Sequence, residues 1–79
     1  MKKLTIDTLI AELDIIVDSA RTLMESDHYG AALHCDSMAC GACDMFQSVC
    51  WALGDYELAD EVDKVRKLKR DEMNAILGR

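Results

Sequence analysis

Residues 28–53 read HYGAALHCDSMACGACDMFQSVCWAL, and the fold turns on how this stretch is read. It holds no proline and no run that alternates apolar with polar for long enough to make a strand. Its apolar residues recur at three- and four-residue spacing, the period of an α-helix. At about 100° per residue, Ala32, Cys35, Ala39, Phe46 and Leu53 lie at the centre of an apolar arc. Ala31, Met38, Ala42, Met45 and Val49 form one edge of it, and Cys43 and Cys50 the other. The arc covers about 180°, enough to contact two neighbours, so this segment is expected to be the central helix of three. Asp36, Ser37, Asp44, Gln47 and Ser48 are expected to face solvent.

Outward from this segment, both flanks carry turn signals. Downstream, Gly54 suits the left-handed residue past a helix end and Asp55 the next N-cap. A third helix follows over residues 56–77, with Leu58, Val62, Val65, Met73, Ile76 and Leu77 on one side. Upstream, Ser26-Asp27 breaks the pattern, and Asp27 offers a cap for the middle helix. Before it lies an amphipathic helix over residues 6–25, with Ile6, Leu9, Ile10, Leu13, Ile16, Val17, Ala20, Leu23 and Met24 on one face. Thr5 is expected to cap it through its hydroxyl, with Leu4 and Leu9 as a hydrophobic staple. Leu53-Gly54-Asp55-Tyr56-Glu57 with Ala59 resembles the turn inside a tetratricopeptide helix pair. The likeness covers only short turns and extends to no family assignment. Short helix–helix turns favour antiparallel neighbours. The fold class is therefore all-α, an antiparallel three-helix bundle with helices at 6–25, 28–53 and 56–77, forming a single domain over 1–79.

Length and charge narrow the function. With 79 residues the chain is too short for a nucleotide-binding α/β fold, and 51% hydrophobic content argues against disorder. Met1-Lys2-Lys3 could open a signal peptide, but Asp7 and Glu12 interrupt any apolar region behind it. A cytoplasmic location, reduced thiols and no membrane partner are the expectation. The net charge of −6 is unevenly distributed. Residues 4–63 hold thirteen acids and one base, whereas residues 64–79 hold six bases and two acids. Acids early and bases late in the third helix suit its dipole, and Asp60–Lys64 and Asp63–Lys67 have the favourable i, i+4 order. Direct nucleic-acid binding by Lys64–Arg70 is not expected, because the acidic body would oppose it.

Few residues suggest chemistry. Cys35, Cys40, Cys43 and Cys50 all fall on one expected helix, where they read as small buried hydrophobes. A zinc site is the alternative if Gly41 breaks that helix and makes Cys40-Gly41-Ala42-Cys43 a knuckle. The same four residues look like a thioredoxin-type sequence, which needs a helix N-terminus and a βαβ setting that this chain does not offer. His28 and His34 have no nucleophile or paired carboxylate at suggestive spacing. No cofactor and no enzymatic activity are expected.

Surfaces are left as the candidates. Leu33, Cys40 and Trp51 fall within about 20° of each other on the expected solvent side of the middle helix, with Asp44 beside them. Tryptophan is a frequent interface anchor, and Ile15 is likewise isolated on the polar side of the first helix. Asp7, Asp14, Asp18 and Glu25 make an acidic ridge about 27 Å long. The expected function is non-enzymatic protein binding through the Leu33/Cys40/Trp51 side, the ridge, or both. The partner is another protein or a second copy in a homodimer. An alternative is an acidic mimic of nucleic acid that occludes a basic nucleic-acid-binding protein. Small acidic accessory proteins of phages and mobile elements are similar in type. A cysteine-based zinc or thiol redox site is the third reading.

Overall fold

Leu9, Leu13, Ile16, Val17 and Ala20 repeat at three- and four-residue spacing, and these are the residues that α1 (Ile6–Glu25) buries. The computed structural model describes residues 4–79, so Met1-Lys2-Lys3 lies outside the described residues. Two more helices follow, α2 (Tyr29–Ala52) and α3 (Tyr56–Leu77), with no strand among the described residues. Each pair of helices packs together, so the chain is an all-α three-helix bundle. Its body measures 42 × 24 × 15 Å.

The two links are built alike and hold neighbours antiparallel. At the end of α1, the Asp27 N–H donates to the Met24 carbonyl at 3.1 Å and the His28 N–H to Leu23 at 2.8 Å. At the end of α2, the Gly54 N–H donates to Trp51 at 3.0 Å and the Asp55 N–H to Cys50 at 2.9 Å. Both are the doubled backbone closure that needs a left-handed residue. Gly54 supplies one at φ 75°, but Asp27 must adopt φ 60° with a side chain in place. Asp27 was expected to cap α2; it closes α1 instead, and His28 takes the N-cap position without a side-chain bond. Asp55 does cap α3, its carboxylate accepting from the Leu58 N–H at 3.1 Å. Thr5 holds the N-cap position of α1, but its hydroxyl meets the Thr8 hydroxyl at 3.3 Å and caps no backbone N–H.

The core joins all three helices through Leu13, Val17, Ala20, Ala32, Cys35, Cys43, Val62, Met73 and Leu77. From α2 it takes mainly small side chains, which permit close approach. That choice rotates α2 away from the orientation its apolar arc suggests. Gln47, expected at the surface, is 7% exposed, while Met45, expected in the core, is 72% exposed. Met38, Val49 and Leu53 are exposed as well.

Polar partners on α3 explain the rotation. The Gln47 amide donates to the Ala59 carbonyl and to Asp63 Oδ1, each at 2.9 Å, and its Oε1 accepts from Arg66 at 3.0 Å. Arg66 also donates to Asp44 at 2.7 Å, and Arg79 to Asp36 at 2.8 Å. A buried amide with all its groups paired fixes register more sharply than apolar contact can. The expected pairs Asp60–Lys64 and Asp63–Lys67 do not form; Asp63 faces Arg66. The bases of α3 bind acids of α1 and α2 as well as its own, so they hold the bundle together.

Candidate functional site

The rotation of α2 decides which side chains are offered to a partner. Both charged residues of α2, Asp36 and Asp44, point toward α3 and are held by Arg79 and Arg66. The opposite side of the helix carries no charge. It presents Ala31, His34, Met38, Gly41, Met45, Val49 and Ala52, all exposed, with half-buried Ala42 among them. Met38 is 48% exposed and Val49 42%.

This side is continuous with α1. An open groove between the helices is lined by Leu4, Thr8, Leu9 and Glu12 from α1 and by Ala42, Met45, Phe46 and Val49 from α2. Ile15, 63% exposed, stands one turn beyond Glu12 on the same side of α1. The result is a two-helix apolar face with Glu12 as the charged side chain in its groove. In a chain that is 30% charged, a face of this kind needs an explanation beyond solubility.

The surfaces expected from the sequence fare differently. Leu33 is half-buried and packs against the core. Cys40 is also half-buried and forms part of the wall between α2 and α3, so these two do not make an outer stripe with Trp51. Trp51 is 53% exposed but lies about 130° around α2 from the two methionines. Asp44 is engaged by Arg66. Of the acidic ridge, Asp14 is bound by Lys69, which also contacts Glu72, and Asp18 by Arg21 at 2.7 Å. The hydrogen bond to Asp14 holds Lys69 above its usual pKa. Asp7 and Glu25 are exposed at the two ends of α1. The ridge is therefore a row of carboxylates partly neutralised within the molecule.

The cysteines sit in an unbroken helix. α2 runs through Gly41 without interruption, so Cys40-Gly41-Ala42-Cys43 forms no knuckle and does not lie at a helix N-terminus. Cys35, Cys43 and Cys50 are buried, and no cluster of three metal-ligating side chains occurs among the described residues. Burial pushes the Cys43 and Cys50 thiols above their ordinary pKa, the opposite of nucleophile activation. A recess of about 20 Å³ between α2 and α3, lined by Cys40, Cys43, Arg66, Lys69 and Arg70 among others, has the volume of a single water. Among the described residues no helix is long and apolar enough to cross a membrane.

No known family model, curated protein or solved structure matches this chain. The exposed methionines were missed as surface because Met at helical spacing normally marks a core. The signal that could have exposed them is the position of the charges: Asp36 and Asp44 both fall on the α3 side of the wheel, leaving the methionine side with none.

Proposed function

We propose that the protein is a non-enzymatic binding module that docks a protein partner, either another protein or a second copy of this chain, on the α1–α2 face. The observation that carries this reading is the uncharged side of α2, where Met38, Met45 and Val49 stand in solvent. Flexible, polarizable methionine side chains suit a docking surface because they adapt to the partner's shape. Trp51 and the acidic ends of α1 border the molecule elsewhere and are secondary contacts in this reading. The acidic-mimic alternative draws less support, since Lys69 and Arg21 already occupy Asp14 and Asp18. The accessory-protein role of small phage proteins fits such a module as a class.

Affinity capture with the wild-type chain and with Met45→Glu tests the reading directly. Met45 is so exposed that the substitution leaves the fold intact, which circular dichroism checks. Loss of the captured protein with Met45→Glu, at both low and high salt, is the expected result. Recovery of the same proteins by both chains rejects this face as the docking surface. Loss only with Asp7 and Glu25 reversed in charge, and only at low salt, would move the site to the ends of the ridge.

A further inference from the structure

We infer that the α1–α2 face, taken as the docking surface proposed above, binds a second copy of this chain, with the two α2 helices antiparallel across a two-fold axis at Gly41–Ala42. The positions on the exposed side of α2 are symmetric about its middle, with methionine and alanine recurring on both sides. An antiparallel pairing centred between Gly41 and Ala42 sets Met38 of each copy against Met45 of the other. The same register sets Ala31 against Ala52 and His34 against Val49. A two-fold interface requires a surface that complements itself in this way. All of these residues except Ala42 are exposed in the single chain.

Gly41 supports the position of the axis. It lies midway along a 24-residue helix, where glycine weakens helix formation. Nothing in the chain uses its lack of a side chain, since a Cβ built there meets no atom within 4 Å. At a crossing point, the missing Cβ lets two backbones approach closely.

Area and charge both fit a second copy. At 1.5 Å per residue α2 is about 36 Å long, and two adjacent helices each about 10 Å wide make a face of roughly 700 Å². A stable standard-sized interface uses about 800 Å² from each partner. Two chains of net charge −6 repel, so they meet best where charge is sparse; the methionine side of α2 has none, and Glu12 is the charged side chain in the groove beside it. A basic partner would instead seek the ends of α1.

Sedimentation equilibrium from 1 to 200 μM, at 50 mM and 500 mM NaCl, measures the association. The wild-type chain is expected to approach twice its 8.8 kDa mass, with association unchanged or strengthened by salt. Met38→Glu alone and Met45→Lys alone are each expected to stay monomeric with unchanged helix content. Mixed in equal amounts, these two variants are expected to form a heterodimer, because the antiparallel register brings the new acid opposite the new base. Gly41→Ala is expected to weaken dimerisation at least tenfold while raising the helix stability of the monomer.

A wild-type chain that remains monomeric at 200 μM overturns the inference. If Met45→Glu nonetheless abolishes capture of another protein, the docking reading survives and only its occupant changes. If capture is also unaffected, both fail. A wild-type dimer in which the mixed variants do not pair overturns the antiparallel register, and so the inference.

Discussion

Replacing Gln47 by leucine tests the orientation of α2, on which every surface assignment depends. The amide of Gln47 makes two donor bonds and accepts one, all to α3. Leucine fills a similar volume but makes none of these bonds. Ala59 retains its helical partner for its carbonyl, and the Asp63 side chain is 65% exposed, so water can replace part of what is lost. Arg66 is 21% exposed and keeps Asp44. At about 1 kcal/mol per hydrogen bond, with the bond to the charged guanidinium worth somewhat more, the loss sums to ~3 kcal/mol. The added apolar burial of leucine returns ~1 kcal/mol, leaving Gln47→Leu destabilised by about 2 kcal/mol. For a domain of this size that lowers Tm by roughly 10 °C. Urea unfolding at 2 μM protein, followed by circular dichroism at one wavelength, gives the number, with the exposed neighbour substitution Ser48→Ala as control. Were Gln47 on the solvent side, as its wheel position suggests, both variants would stay within ~0.5 kcal/mol of wild type. A neutral Gln47→Leu would refute the rotation and, with it, the uncharged face.

Other expectations follow from single features. Asp27→Gly is expected to stabilise the fold by about 1 kcal/mol, because glycine adopts φ 60° without the steric cost aspartate bears; chemical denaturation measures it, and a loss of stability would show that the Asp27 side chain contributes there. Gly54→Ala is expected to cost about 1 kcal/mol at the matching position of the second turn, read in the same assay. Stability is expected to fall as the pH rises through and above 9. Buried Cys43 and Cys50 resist ionisation when folded, so the unfolded chain loses thiol protons first and binds fewer, and the slope is negative. Lys69 adds a loss of the same sign at higher pH, because its pairing with Asp14 raises its folded pKa and that contribution disappears as the amine deprotonates. Urea midpoints at pH 7, 9 and 10 check the thiols and a further one at pH 11.5 checks Lys69, where Lys69→Met should remove the added loss. In native conditions a thiol reagent is expected to modify half-buried Cys40 first, with Cys43 and Cys50 reacting only as fast as the chain opens; mass mapping of the adducts gives the order.

The helices and their ends were legible because they rest on local information. The stripe of Leu9, Leu13, Ile16 and Val17 orients α1 unambiguously, since the opposite side is charged. Gly54 and Asp55 announced their turn through the conformational needs of a left-handed residue and an N-cap. Asp27 was harder, because aspartate suits either role and only the backbone closure to Leu23 and Met24 decides. The orientation of α2 was not legible from its own residues. Apolar side chains surround more than half of it, so hydrophobic pattern alone leaves its rotation loosely fixed. Gln47 neighbours Cys43 on the wheel, and what draws it inward is a carbonyl, a carboxylate and a guanidinium on α3. Those become neighbours only once α2 and α3 have their register. Leu33, Cys40 and Trp51 therefore shared a sequence face without sharing a surface.

The paired turns also govern how the molecule comes apart. His28 donates its N–H back to Leu23 and accepts from Ala32 with its carbonyl, so one residue both closes α1 and opens α2. Asp55 does the same for α2 and α3, donating to Cys50 and accepting from Leu58 and Ala59. Fraying at either junction therefore costs bonds in two helices together, and no helix can melt at a linked end while its neighbour keeps that end intact. The amides flanking both turns should exchange with solvent in concert, as one cooperative opening, while among the described helices the start of α1 and the finish of α3 are left to fray alone.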